Sequence, residues 1–142
     1  MHQPEQSPGF LLWHVTLRWQ RDVGAALKPL GLTHVQFVLL ATAWWINTHG
    51  EQPSQVALAT AAGTDVKMAS QVIRALEHKG LISRETPAAD TRARRLVVTA
   101  TGAALAPQAI EAVENVDRAL LARLPSKARR DFTTALRELR LA

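Results

Sequence analysis

The sequence predicts a mainly α-helical fold that carries one small β-hairpin, and three observations lead to this class. Apolar residues recur at steps of three or four along most of the chain, which is the helical period. Only two short segments, residues 81–85 and 95–99, have the composition of strands, and a polar loop joins them. With 142 residues, 47% apolar and 20% charged, the chain is sufficient for one ordinary domain with one core.

The first predicted helix covers residues 10–30 and has two apolar stripes. The first stripe consists of Leu12, Val15, Trp19, Val23, Ala26 and Leu30. The second stripe, Leu11, Trp13 and Leu17, lies off that face. A helix with two apolar faces needs two partners, and in so small a chain the second partner is expected to be another subunit. The alternative is an unusually buried helix within a single subunit.

The next three helices are predicted from their capping residues. Thr33 and Gln36 have the spacing of a capping box and start a helix at 33–47, which is apolar nearly all round and is therefore expected to be the central core element. Ser54 caps a short helix that ends at residue 62. After the turn at Gly63, Asp65 caps a longer helix that ends near Lys79.

The remainder of the chain is predicted to form the hairpin and two more helices. Residues 81–85 and 95–99 pair across a loop at 86–94 that has a basic tip. Thr99 caps a helix at about 100–124, and Pro107 is expected to kink it or to delay its start. Phe132, Leu136, Leu139 and Leu141 mark a last helix after the break at residues 125–126.

Residues 55–72 have the spacing of a helix-turn-helix. Ala59 is small enough for two helices to cross closely, Gly63 allows a positive φ at the turn, and Ala69 with Val72 would bury the inner face of the second helix. In this motif the second helix enters the DNA major groove. Helical hairpins with glycine turns also occur in ordinary bundles, so the motif alone leaves both interpretations open.

The outer face of the second helix favours DNA. If the apolar residues face inward, Lys67, Ser70, Gln71 and Arg74 face outward. Arg can bind guanine, Gln adenine, Ser either base, and Lys guanine or a phosphate. A solvated surface has similar residues, but it does not explain the basic hairpin that follows, with Arg92 and Arg94 in its loop. Lys79, at the helix end, is predicted to contact phosphate.

Charge supports the same hypothesis. Between residues 64 and 99 the chain has seven Lys and Arg against four Asp and Glu, and the whole chain has a net charge of +5. An excess of positive charge favours a polyanionic partner. Four polar side chains directed at a groove indicate sequence-specific recognition, and a non-specific architectural DNA-binding protein is the alternative.

Several segments resemble the MarR-type regulators. They are LKPL at residues 27–30, LT at 32–33, LEHKGLISR at 76–84, DTRAR at 90–94, and VT at 98–99 with Gly102. The first few of these segments are most similar to the SlyA-like branch. The resemblance implies a triangular homodimer on a palindromic operator. Residues 8–32 and 100–142 would form the dimerisation helices, and residues 33–99 the winged helix-turn-helix lobe.

The resemblance also assigns roles to individual residues. It implies that Arg92 reaches the minor groove and that Asp90 braces the wing by pairing with a nearby arginine. Several members bind small aromatic acids or phenols in a cleft between the dimerisation helices and the DNA lobe. Trp13, Trp19, Phe37 and Ala41 would lie in that region, although aromatic residues at helical spacing are often simply part of a core.

Other classes of protein lack their characteristic residues. The chain has no Cys, which excludes disulfides, thiolate nucleophiles, Cys-rich zinc sites and the peroxide-sensing cysteine of one MarR-type branch. The five His are scattered without metal-ligand spacing, and no glycine-rich phosphate loop is present. The sequence therefore predicts no catalytic residues, no cofactor and no metal. With no signal peptide and no membrane span, it predicts a cytoplasmic repressor rather than an enzyme.

Overall fold

The computed structural model describes residues 3–86 and 94–140. In chain order the elements are α1 (Pro8–Leu27), α2 (His34–Thr48), α3 (Gln55–Ala62), α4 (Val66–His78), β1 (Ile82–Glu85), β2 (Arg95–Val98), α5 (Ala100–Leu121) and α6 (Ser126–Arg140). Short 3-10 turns lie at Pro4–Gln6 and Lys28–Leu30. The strands pair antiparallel, with Ile82 opposite Val98 and Glu85 opposite Arg95. The predicted class, mainly helical with one hairpin, is confirmed.

Local side-chain caps start four of the helices where the sequence predicted. Thr33 and Gln36 form a complete capping box at the start of α2, with both hydrogen bonds at 3.2 Å. The Ser54 hydroxyl, the Asp65 carboxylate and the Thr99 hydroxyl accept from backbone N–H groups at the starts of α3, α4 and α5, at 3.1, 3.0 and 3.1 Å. Each cap satisfies an N–H group that has no partner within its helix. The start of α5 is not delayed, since this helix begins seven residues before Pro107.

Helix α2 is the central core element, as predicted. It packs against α1, α3, α4, α5 and β2. Its Leu39, Leu40 and Ala43 are fully buried. The same core includes residues of every other element except α6: Val23, Leu27, Leu58, Ala59, Ala69, Ile73, Leu76, Ile82, Leu96, Ala106, Ala109 and Val113. Burial of these side chains supplies the main stabilising free energy of the fold.

Helix α1 departs from the prediction in its first half. Only Val23 and Leu27, in the second half, are fully buried. Leu12 and Val15, expected to face the core, are 55% and 42% exposed, because the buried core reaches α1 only at Val23 and Leu27. The second stripe is also exposed, with Trp13 at 62%. Half of this helix therefore presents apolar side chains that residues 3–86 and 94–140 leave largely exposed.

Helix α6 shows the same property. None of its described residues is buried, and Phe132, Leu136 and Leu139 are among its exposed apolar side chains. Across the described residues, no single helix has the length and apolar content needed to cross a membrane. Helix α1 with its 3-10 extension meets those criteria only together with α2, and the two are bent by 72°.

Candidate nucleic-acid interface

Helices α3 and α4 form a helix-turn-helix whose turn is fixed by backbone contacts. Gly63 has a φ of 73°, a left-handed conformation that glycine adopts without a steric penalty. The Thr64 N–H donates to the Ala59 carbonyl at 2.9 Å, and its hydroxyl donates to the same oxygen at 3.3 Å. Ala59 is fully buried between the two helices, as its small size predicted. The turn thus sets the angle between α3 and α4.

One face of α4 is buried and the opposite face is exposed. Ala69, Ile73 and Leu76 are fully buried, and Val72 is partly buried against the core. On the other side Lys67, Gln71 and Arg74 are exposed and Ser70 is partly exposed. These four polar side chains therefore lie together on one side of the helix, as predicted from the sequence.

The first turn of α4 also exposes apolar side chains that sequence reasoning missed. Val66 and Met68 are 42% and 47% exposed, and Val56 on the neighbouring helix α3 is exposed as well. An apolar side chain in the major groove can contact the methyl group of thymine. The sequence did not single out these residues because an apolar residue in a helix is usually assigned to the core.

The base of the hairpin is connected to the helix-turn-helix. Arg84 Nε on β1 lies 2.8 Å from Glu77 Oε1 on α4, and both side chains are partly buried. The Thr99 hydroxyl, after β2, donates to the Gly80 carbonyl at 2.6 Å. Close packing completes the connection, since a Cβ added at Gly102 on α5 would lie only 2.2 Å from the Leu81 carbonyl oxygen.

The strand β2 is also tied to the region before the helix-turn-helix. The Leu96 N–H donates to the Pro53 carbonyl at 2.9 Å. The Asn47 side chain at the end of α2 accepts from the Val98 N–H at 2.8 Å and donates to the Leu96 carbonyl at 3.3 Å. These contacts hold the two strands beside the helices. The base of the wing, which is the hairpin of β1 and β2, is therefore fixed relative to α2.

Of the two basic residues predicted for the wing loop, Arg94 belongs to the described residues and Arg92 does not. Arg94 is described and exposed, next to the partly exposed Arg95. Arg92 and Asp90 lie in residues 87–93, outside the described residues, so their roles stay predictions.

Lys79 lies apart from the four polar residues of α4. It follows the last residue of the helix, and its ammonium group donates to the Gly31 carbonyl at 2.5 Å and to Gln36 Oε1 at 2.8 Å. The sequence predicted a phosphate contact for Lys79 and gave no signal for this pairing, because Gly31 and Gln36 precede it by 48 and 43 residues.

A cavity of about 380 Å³ lies between α1, α5 and α6. Its described lining comprises Leu12, Val15, Thr16, Trp19, Asp117, Leu120, Leu121, Phe132, Thr133 and Leu136. Of the four residues predicted for an effector pocket, only Trp19 belongs to this lining. Trp13 is exposed, and Phe37 and Ala41 are partly buried on α2. The effector pocket predicted from these four residues stays a prediction.

Trp19 is held by polar and aromatic contacts at the edge of this cavity. Its Nε1–H donates to Asp117 Oδ1 at 2.7 Å, and its ring meets the His34 ring edge-on at a centroid distance of 5.0 Å. Partial burial lowers the pKa of His34 below its usual value of 6.5, and the negative charge of Asp117 opposes part of that shift. Trp19 on α1 is therefore joined to α5 by a hydrogen bond and to α2 by an aromatic contact.

Comparison with known proteins identifies the family. A family model described as the MarR family matches residues 32–93. YdcH of Bacillus subtilis, an uncharacterized HTH-type transcriptional regulator, is 43% identical over 96% of this chain and 91% of its own. The crystal structure of the MarR family protein Rv2887 of Mycobacterium tuberculosis is 32% identical, has a TM-score of 0.71 and covers 95% of each chain. This chain belongs to the MarR family.

Further comparisons find a relative of this MarR-family chain that is named a repressor, and solved structures with a similar fold. Rv2887, named an HTH-type transcriptional repressor, is 34% identical over 92% of the chain and 91% of its own length. It has been solved with DNA, at a TM-score of 0.73, and with salicylic acid, also at 0.73. BpsR of Bordetella bronchiseptica, at 22% identity and a TM-score of 0.87, shows the fold alone. The family and the winged helix-turn-helix class predicted from the sequence are confirmed, and the SlyA-like branch stays a prediction.

Proposed function

We propose that this MarR-family protein is a sequence-specific DNA-binding transcriptional regulator that acts as a homodimeric repressor on a pseudo-palindromic operator. The observation that carries the proposal is the exposed polar face of α4, opposite its buried face. We refer to α4 as the recognition helix from here on. The DNA complex of Rv2887, a relative named as a repressor, supports the proposal.

The proposed contacts divide into base and backbone contacts. In the middle of the recognition helix, the Arg74 guanidinium is a forked donor that suits guanine, and the Gln71 amide has a donor and an acceptor that suit adenine. Lys67 and Ser70 flank them. From the wing, Arg94 and Arg92 supply positive charge for the neighbouring minor groove, with Asp90 as the proposed brace. The lobe in this proposal comprises residues 33–99.

A homodimer accounts for the apolar surfaces of α1 and α6. We assign residues 8–32 and 100–142 to dimerisation, because a second copy can cover side chains such as Trp13 and Leu139 that the chain leaves exposed. Two recognition helices related by a two-fold axis require half-sites about one helical turn apart, roughly 34 to 36 Å.

We further propose that a small aromatic ligand releases the operator. The salicylic acid complex of Rv2887 supports this class of ligand. Trp19 is the best-placed of the proposed pocket residues, because it lines the cavity, and Trp13, Phe37 and Ala41 complete the proposed region. A coupling of about 1 to 3 kcal/mol would lower operator affinity roughly 5- to 150-fold, and bound operator would weaken the ligand equally.

The proposed role is regulatory and not catalytic, and the proposed location is the cytoplasm. Relatives that cover almost the whole chain are named transcriptional regulators or repressors, which supports a role at DNA. Such a role requires double-stranded DNA as a partner, and we therefore propose that the protein acts in the cytoplasm.

The proposal is tested by footprinting the dimer on the DNA that flanks its own gene, followed by substitution. Gln71→Ala and Arg74→Ala should each cost about 1 to 3 kcal/mol on the protected site and relax preference at particular base pairs. Gln52→Ala, in the exposed loop after α2, is the control and should leave specificity unchanged. If both helix variants weakened the protected site and random DNA equally, an architectural DNA-binding protein would be the better description.

A further inference from the structure

Lys79 joins the end of the recognition helix to the corner between α1 and α2. Its ammonium group donates to the carbonyl of Gly31, which ends the 3-10 turn after α1, and to the side chain of Gln36 in the first turn of α2. The two acceptors belong to different elements. An ammonium group has three donors and can satisfy both at once.

The corner that receives Lys79 is itself ordered by short-range hydrogen bonds. Gln36 Oε1, which accepts from Lys79, also accepts from the Thr33 N–H at 3.2 Å as part of the capping box. The Gly31 N–H donates to the Lys28 carbonyl at 3.0 Å, and Gly31 has a φ of 71°. A contact to such a corner fixes the end of the recognition helix relative to two helices.

Lys79 also points away from the face proposed to enter the groove. At about 100° per residue, it lies roughly 130° around the helix axis from the mean direction of Lys67, Ser70, Gln71 and Arg74. It is also about 7.5 Å further along the axis than Arg74. A positive charge at the C-terminal end of a helix is favourable in its own right.

We propose that Lys79 is a positioning residue, which holds the end of the recognition helix against the α1–α2 corner and so sets the angle of the helix to the groove. This proposal rests on the proposed function, since it concerns how the recognition helix meets DNA. Because residues 8–32 are assigned to dimerisation, the contact of Lys79 with Gly31 connects the proposed subunit interface to the recognition helix through a single side chain.

The first experiment separates positioning from phosphate contact by the salt dependence of operator binding. Lys79→Met keeps about the length of the lysine's aliphatic part but removes its ammonium group, and we expect operator affinity to fall about 3- to 10-fold. The slope of log Kd against log salt should stay as in the wild type. Lys79→Arg, which can donate to both acceptors, should restore most of the affinity. A slope reduced by about 1 in Lys79→Met would show a phosphate contact and overturn the proposal.

The second experiment changes the acceptor instead of the donor. Gln36→Glu keeps the capping box, for which Glu is an ordinary residue, and offers Lys79 a carboxylate. The positioning role predicts that operator affinity stays within about twofold of the wild type or rises, because the contact is strengthened. If Lys79 bound phosphate, this carboxylate would neutralise it and weaken operator binding as much as Lys79→Met does.

Gln52→Glu, in the exposed loop after α2, controls for the added negative charge in general. Thermal unfolding of each variant shows that it is folded, and Gln36→Glu keeps the proposal testable even if Lys79→Met does not fold. Wild-type protein that failed to select any operator would refute the proposed function instead, and would be recognised before any variant is compared.

Discussion

Arg84 and Glu77 form an ion pair between the first wing strand and the recognition helix, with Arg84 Nε and Glu77 Oε1 2.8 Å apart. The exposed fractions of the two side chains are 20% and 31%, so solvent screens this pair less than a fully exposed one. The wing and the recognition helix are the two parts proposed to contact DNA, and each supplies one residue of the pair. Their relative orientation therefore depends in part on this contact.

Removing the pair should weaken operator binding together with stability. We expect Arg84→Gln to lower the free energy of unfolding by about 0.5 to 1.5 kcal/mol, because the Glu77 carboxylate loses its charged partner. Lys127→Gln removes the same charge from an exposed pair on α6, where little change in the free energy of unfolding is expected. Urea unfolding and operator titration would check this, and equal effects of the two variants would contradict it.

Gly102 is predicted to tolerate no side chain. A Cβ there would lie 2.2 Å from the Leu81 carbonyl oxygen and 2.8 Å from Val98 Cγ1, so Gly102→Ala must move α5 away from the hairpin. We expect a loss of about 1 to 3 kcal/mol in the free energy of unfolding. Gly24→Ala in α1 is the matched control, because its Cβ meets nothing within 4 Å. It should raise stability by up to about 1 kcal/mol, and a similar gain for Gly102→Ala would refute the clash.

His34 should make the protein less stable in acid. Burial lowers its pKa in the folded state, so the unfolded chain binds the proton more readily. Stability is therefore lost as the pH falls from about 6.5 towards the lowered pKa, and it levels off below that value. In Asp117→Asn the pKa of His34 should fall further, because the opposing negative charge is gone.

NMR titration of the His34 ring gives this pKa directly. His34→Gln should remove this part of the pH dependence of unfolding measured between pH 5 and 7. A ring that titrated above 6.5 in the wild type would contradict the expected direction.

The exposed apolar half of α1 gives a prediction about assembly. Leu12→Asp places a carboxylate in a surface that the proposed dimer buries, so we expect light scattering to report the mass of one chain. Gln52→Asp, in the exposed loop after α2, should keep the mass of two chains. If the Leu12 variant stayed dimeric at micromolar concentration, this part of α1 would lie outside the interface.

The sequence predicted those features that depend on residues close together in the chain. The caps at Thr33, Ser54, Asp65 and Thr99 each involve a partner three residues away, so their spacing is visible in the letters alone. The polar face of α4 follows in the same way from one helical period. The helix starts and the polar face of α4 can therefore be predicted from the sequence.

Features that depend on distant residues were not accessible. The pairing of Lys79 with Gly31 joins residues 48 positions apart, and neither residue type indicates the other. The spacing of apolar residues predicted which side chains share a face of α1. It does not indicate which turns of that face are buried by other elements. For the same reason the predicted pocket residues matched the cavity only at Trp19.

Because the first half of α1 is exposed in the single chain, both the stability of the fold and the fraction of operator bound should depend on the concentration of the protein. If a second copy covers these turns, the melting temperature rises with chain concentration, because association stabilises the folded state by mass action. At chain concentrations below the dimer dissociation constant, the dimer that binds the operator increases with the square of the chain concentration. A twofold change in synthesis would then change operator-bound protein about fourfold in the unsaturated range.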